Sequence, residues 1–327
     1  MGTAKYLLGK LGQLFVTLLL VLSLAFLLFR VWQPGDPVAT WAKASGAHLN
    51  AAQLDQIRHE WGLDVPLPQQ YVSYMGQMLT FNFGTSTILN PNESVSSMFW
   101  SRMAKSAVLI VTSTFAAIAI GVLLGIYGGW KRQGKVDQAS MSSSMILYAM
   151  PEFVLGMIFI LIFAATLHWF PVSLYESPIP KTGLSHWTDV INHMALPWLT
   201  LTLAYVGEFY LVMRSSLLDV LGEEYIALAR AKGVREKYVL RKHAVPNALL
   251  PTITLVALSF GFILSGVITV ELVFSYPGVG KLSVDALRQR DFAVLQATFV
   301  ISVIAVLLAN FIADLTYAYL DPRVRRA

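Results

Sequence analysis

A chain of 327 residues with 56% hydrophobic and 13% charged residues departs from soluble globular proteins, which carry roughly 25% charge. It departs equally from disordered chains, which combine low hydrophobicity with high charge, and an integral membrane protein is what remains. The absence of cysteine excludes a disulfide framework, a thiolate nucleophile and cysteine-ligated zinc or iron–sulfur sites.

A bilayer core about 30 Å thick takes roughly 20 apolar residues per helical span. The first such run is 11–29, free of Asp, Glu, Lys and Arg. It exceeds a signal-peptide core of roughly 7–15 residues, and Arg30 follows without a small-residue cleavage pattern. An uncleaved first span is therefore predicted. Residues 32–102 form one sizeable polar region, opening with Pro34-Gly35-Asp36-Pro37, a turn that no helix continues through. Asn50 with Gln53 three residues on gives a capping-box start, and Leu54, Ile57 and Trp61 share one face of the helix that follows. A second helix is predicted after Pro68, with Tyr71, Tyr74, Met75 and Met78 on one side. So short a region is small for an independent core, and it is expected to pack on the membrane domain or a partner.

Three more charge-free runs follow at 106–129, 248–270 and 292–313. Two further apolar segments hold one acid each: 144–169, with Glu152 beside Pro151, and 194–213, with Glu208. A lone ionisable residue is tolerated in a span that faces a bundle interior. The fold class predicted is all-α integral membrane, with six transmembrane helices. Lys and Arg accumulate in short cytoplasmic loops. With both termini cytoplasmic, fifteen of the 24 basic residues lie inside, seven of them between Arg214 and Lys242. The net charge of +5 thus reads as a topology signal, not as the basic face of a nucleic-acid-binding domain.

Residues Gly129 to Val136 come within one residue of a phosphate-binding loop, G-x-x-x-x-G-K-[ST]. The motif needs a preceding strand and a terminal hydroxyl for magnesium; here a membrane helix precedes it and Val136 has no oxygen. It is read as a basic turn, so no ATP site is expected on this chain. His48, His59, His168, His186, His193 and His243 lack metal-ligand spacing. No cofactor, metal or catalytic residue is predicted. Glu152, Glu208, Glu271 and Asp314 lie in or near spans, where an acid either lines a pathway or is satisfied by hydration or a basic neighbour.

The second cytoplasmic loop, Arg214 to Asn247, is long and highly charged. Glu223 and Glu224 start a helical stretch, Tyr225-Ile226-Ala227-Leu228-Ala229-Arg230-Ala231-Lys232, which Gly233 stops. Acids at the start and bases at the end suit the helix dipole. Ala227 and Ala231, at i and i+4, make a slim face that can enter a groove. The alternative is a helix that skims anionic headgroups.

These residues resemble the cytoplasmic EAA loop of ABC-importer permeases, in the form of the peptide and nickel subgroup: Tyr225, Ala229-Arg230-Ala231-Lys232-Gly233, His243, Asn247 and Pro251, with Pro246 thirteen residues after Gly233. Ala227 stands where the general motif has glutamate. Pro34-Gly35-Asp36-Pro37, Gly62-Leu63-Asp64 with Pro66-Leu67-Pro68-Gln69-Gln70-Tyr71, and Phe83-Gly84-Thr85-Ser86 resemble the outer loop of the first of two permeases in such systems. Glu271, Phe274, Pro277-Gly278-Val279-Gly280, Asp314 and Asp321-Pro322-Arg323 resemble the family's later motifs.

The resemblance implies a type I ABC importer permease of the bacterial inner membrane, carrying dipeptides or oligopeptides through half of a translocation pathway. Implied partners are a second homologous permease, two ABC ATPases that hold ATP and Mg, an extracytoplasmic solute-binding protein and membrane lipids. Tyr225, Ala227, Leu228, Ala229, Arg230, Ala231, Lys232 and Gly233 would form the ATPase-coupling helix, with Arg230 and Lys232 able to pair with acids on the partner or with headgroups. The division read along the chain is 1–31 for the cytoplasmic tail and first span, 32–102 for the outer region, 103–320 for the permease domain with coupling loop 215–247, and 321–327 for the tail. Alternatives are a nickel or other small-solute permease and an ion-coupled secondary transporter. Against the last, no duplicated broken-helix pair is apparent.

Overall fold

The computed structural model describes residues 3–32, 35–46, 49–263 and 267–320. Pro34, His48 and the closing Asp321-Pro322-Arg323 fall outside these, as does the side chain of Asp314. The helices in chain order are α1 (Thr3–Phe26, continued as a π turn over Leu27–Val31), α2 (Pro37–Ser45), α3 (Ala51–Glu60), α4 (Leu67–Leu79), α5 (Val95–Trp130), α6 (Lys135–Ala149), α7 (Glu152–Phe159, continued as a π segment over Ile160–Thr166), α8 (Leu184–Leu221), α9 (Glu224–Ala231), α10 (Glu236–Tyr238, continued as a π segment over Val239–Ala244), α11 (Val245–Ile263), α12 (Ile268–Val273), α13 (Val279–Gln289) and α14 (Phe292–Leu320). Extended pairing among the described residues is confined to a single bridge, Thr85 to Ser94.

Four of these helices are long and apolar enough to cross a membrane, within Leu8–Val31, Val95–Trp130, Leu184–Leu221 and Phe292–Ile312. A bent pair, Lys135–Ala149 with Glu152–Thr166, is together long and apolar enough to cross as well, with an angle of 104° at its break. The apolar segment 144–169 is thus interrupted at Pro151. Pro151 has no N–H to donate and forces Met150 out of helical geometry, to ψ 127°. The remaining expected span, 248–270, falls on α11 and α12 with residues 264–266 between them outside the described set.

The chain divides into two compact units. The first comprises 1–106, 264–268 and 277–327. Its core joins Leu22, Ala25 and Phe26 of α1, Tyr74 and Met78 of α4, Phe99 and Met103 of α5, Val279 and Leu282 of α13, and Val294, Ala297 and Val300 of α14. The polar region is therefore built onto α1 and α14, as its size demanded. Its first helix, α2, is one the sequence reading missed: Asp36 caps it, accepting from the Val38 N–H at 3.1 Å, with Pro37 in the first turn, where no N–H is needed. The capping box at α3 is present in full, Asn50 and Gln53 exchanging bonds of 2.9 and 3.0 Å. Between α3 and α4, Gln70 donates to the carbonyls of Leu63 and Val65 at 3.2 and 2.8 Å, which gives the Gly62-to-Gln70 motif a structural purpose.

Asp291, fully buried, precedes α14 and holds the loop 86–89. Its Oδ2 accepts from Ser86 Oγ at 2.6 Å and from the backbone N–H groups of Thr87, Ile88 and Leu89 at 3.1, 3.0 and 3.1 Å. Four donors on one oxygen leave the loop's backbone satisfied without water.

The second unit comprises 107–263 and 269–276, with α8 at its centre against α6, α7 and α11. On α5 a glycine series makes the approach to α8 close. A Cβ on Gly121 would lie 2.7 Å from Phe209 Cβ, one on Gly125 2.8 Å from Met213 Cβ, and one on Gly129 3.0 Å from Leu217 Cδ2. Small residues at such contacts let membrane helices pack backbone to backbone. Gly121→Val is expected to cost about 1–3 kcal/mol by overpacking, read as a lower thermal midpoint in detergent. Gly12→Val, where nothing lies within 4 Å, should leave the midpoint unchanged.

Candidate functional site

Helix α9 follows α8 after one short turn at Gly222 and Glu223. Its anchor is Ile226, fully buried in a core with Met213 and Leu217 of α8, Val239, Leu240 and Ala244 of the π segment, and Ala248 of α11. Its end is fixed by backbone geometry. Gly233 adopts φ +75°, Gly233 N–H bonds the Arg230 carbonyl at 2.9 Å and Val234 N–H the Ala229 carbonyl at 3.3 Å. That pattern is a Schellman cap, and Ala229 and Val234 both pack against the same core, which sets the helix rigidly on α8.

The residues singled out from sequence divide on this frame. Ala229 turns partly inward; Tyr225, Ala227, Leu228, Arg230, Ala231, Lys232 and Gly233 are exposed. Leu228 is 57% exposed and Tyr225 42%, so a charged segment presents an uncovered apolar face. Arg230 has a partner within the chain. It forms a two-pronged pair with Glu236, Nε to Oε1 at 2.7 Å and Nη2 to Oε2 at 3.3 Å, which braces the turn after α9 while the guanidinium stays exposed. Asn247 donates to the Tyr225 hydroxyl at 3.2 Å and to the His243 carbonyl at 2.7 Å. Three motif residues thus tie the start of α9 to α11.

Above this helix lies a cluster that the sequence reading missed. Arg214, expected in a loop, lies on α8 and clamps the carboxylate of Asp137 on α6, Nε to Oδ1 at 2.6 Å and Nη2 to Oδ2 at 2.8 Å. Tyr210 donates to Oδ1 at 2.9 Å and Gln133 N–H to Oδ2 at 3.0 Å. Asp137 is 2% exposed. A Cβ on Gly128 would come within 2.8 Å of both Asp137 Oδ1 and the Tyr210 hydroxyl, so glycine is what admits the cluster. The signal was one acid two residues after a basic turn, Lys131 to Lys135, with an arginine at the end of the fourth apolar run; nothing in the sequence shows that they meet.

The four acids fare differently. Glu152, in the first turn of α7 beside the break, and Glu208, far from either end of α8, line one cavity of about 370 Å³ with Tyr148, Tyr205 and Thr269. Glu271 on α12 is fully buried and lines no part of that cavity. Asp314 falls outside the described side chains. Among the described residues, no group of three His, Asp or Glu could hold a metal ion.

Residues 95–326 match the family model described as binding-protein-dependent transport system inner membrane component, and residues 3–91 the corresponding N-terminal model. The chain is similar to the glutathione transport system permease protein of Pectobacterium atrosepticum, 36% identical over 98% of this chain and 99% of the relative. It is also similar to the oligopeptide transport system permease protein of Bacillus subtilis, 34% identical over 98% and 99%.

Proposed function

We propose that this chain, which belongs to the binding-protein-dependent transport system inner membrane components, is a permease subunit of an ATP-driven importer of peptides. The peptide assignment is supported by relatives named for oligopeptide and glutathione transport over nearly their whole length. Both termini are cytoplasmic in this reading, as the distribution of Lys and Arg favours. The chain forms half of the passage with a second homologous permease, and an extracytoplasmic solute-binding protein delivers the substrate. The cavity of Glu152 and Glu208 belongs to that passage, its carboxylates placed for the ammonium group of a peptide. ATP and Mg are held by two ATPase subunits; no bond chemistry occurs on this chain.

The observation that carries the coupling is α9: an exposed apolar face of Tyr225, Ala227, Leu228 and Ala231 on a helix whose other side is locked into the core through Ile226. An ATPase groove that closes on this helix would move it, α8 and α11 as one body, which is how a local push becomes a change of access. Ala231→Trp and Leu228→Glu are each expected to lower ATPase co-purification at least tenfold, the loss of an interface anchor worth about 2 kcal/mol, while the permease still inserts. Unchanged co-purification and transport in both variants would refute the docking role. Peptide uptake by this chain reconstituted without any ATPase would refute the ATP-driven reading altogether.

A further inference from the structure

In the first unit, a cavity of about 330 Å³ opens where α1 ends and α14 begins. Arg30 comes from the last turn of the first span; Phe292 and Gln296 come from the first turns of the last. The rings of Phe29 and Phe299 lie 5.8 Å apart, so the two span ends meet at one membrane boundary. Trp41 and Trp61, packed edge to face at 5.7 Å, line the cavity with Phe83, and exposed Trp32 lies two residues after Arg30. Aromatic rings gather at this depth because one part meets hydrocarbon and the other the headgroups.

The chemistry is unfinished on the protein side. Arg30 is half-buried and, among the described residues, has no hydrogen bond or ion pair. Its electrostatic neighbour is Tyr74, whose hydroxyl is buried and has no hydrogen-bond partner either. Burial pushes the Tyr74 phenol up to about 12, so that group stays a neutral donor. Two adjacent donors without an acceptor in a protected place are costly. Arg290, in the left-handed conformation at the end of α13, adds a second guanidinium to the lining, and Glu60 a single carboxylate.

We propose that this cavity binds the phosphate of a membrane phospholipid, with Arg30 as its principal donor, Arg290 as a second cation and the aromatic walls against the glycerol and first acyl carbons. An arginine that only snorkelled to the headgroups would extend into solvent; Arg30 instead is half-buried and lines a cavity. Binding pockets run from roughly 300 to 1,000 Å³, so this one accommodates a headgroup and leaves the acyl chains in the bilayer. A carboxylate of a free peptide would offer similar acceptors, but the position between two span ends favours a ligand already anchored in the membrane. The inference depends on the membrane-spanning reading alone and is independent of the transported substrate.

The test uses the full chain purified in mild detergent, incubated with phosphatidylglycerol or phosphatidylethanolamine, with bound lipid counted by native mass spectrometry. Loss of a charge-assisted hydrogen bond corresponds to about tenfold or more in affinity, so Arg30→Gln is expected to retain at least tenfold less lipid of both kinds. Gln296→Glu, isosteric and with Arg30 intact, should do the same by repelling the phosphate, and it keeps the test alive if Arg30→Gln does not fold. Lipid retention unchanged in the folded variants overturns the proposal. Displacement of the lipid by millimolar inorganic phosphate overturns it in favour of a free-anion site, and displacement by dialanine in favour of a peptide site.

Discussion

Asp291→Ala is expected to be among the most damaging single changes outside the membrane spans. The substitution removes an acceptor that Ser86 Oγ and three consecutive backbone N–H groups share, and the loop cannot re-form those bonds with itself. Each buried donor left without a partner costs about 1–3 kcal/mol. Some water entry will offset the total, so a loss of about 3–5 kcal/mol is expected, since large effects arise from broken buried networks. Thermal unfolding of the purified full chain in detergent measures it. Limited proteolysis at the loop after Phe83 should accelerate in parallel. Asp291→Asn keeps one acceptor oxygen and should fall between the two; equal stability of all three proteins would show that the loop is held by packing.

Arg214→Ala should have an effect of similar size for a different reason. Removing the guanidinium leaves the Asp137 carboxylate at 2% exposure with only Tyr210 and the Gln133 N–H as partners. Breaking a buried pair by deleting one member costs about 3–5 kcal/mol because a charge stays behind. The double variant Asp137→Asn with Arg214→Gln leaves no net charge and is expected to recover part of that loss. A double-mutant cycle on thermal stability reads the coupling, which contacts of this kind place between about 0.5 and 3 kcal/mol. Strict additivity would mean that the two side chains do not depend on each other. The cluster lies on the helix that leads into α9, so Arg214→Ala also tests whether the frame behind the exposed face must be stiff: full ATPase docking with lowered transport is the expected combination.

Much was legible from the chain because membrane burial leaves a coarse record. Hydrocarbon excludes charge over some twenty residues at a time, so three of the four long helices, α1, α5 and α14, contain uncharged runs, and α8 an apolar segment with the single acid Glu208. Capping is local too. Asn50 and Gln53 had to find each other across a single turn, and Gly233 had to take the positive φ that ends α9, whatever the rest of the chain did. Helix α2 was missed because Pro34 and Pro37 read as an interruption, whereas Pro37 serves as the first residue of a helix capped by Asp36. The break at Pro151 was visible as a proline; its 104° bend was not, since a proline sets where a helix stops and leaves the next direction to packing.

The motif around α9 likewise showed which residues form the segment, and not which of them face inward. Ile226, absent from the predicted set, is the anchor, and exposed Arg230 is also paired with Glu236 within the chain.

The sequence by itself determined a helical membrane protein, the approximate position of its spans, the start and stop of the candidate coupling helix and the motifs of its family. These depend on interactions within a few residues or on bulk transfer between water and lipid, which a linear pattern records. Only the tertiary structure decided that Asp291 satisfies a loop 202 to 205 positions away, that Asp137 meets Arg214, that Glu152 and Glu208 share one cavity while Glu271 lies elsewhere, and that Arg30 has no partner among the described residues. Each is a contact between polar groups far apart in sequence, and its identity is set by which helices pack. The glycines at 121, 125, 128 and 129 fix that packing by letting α5 close on α8, and the pairing of buried charges follows from it.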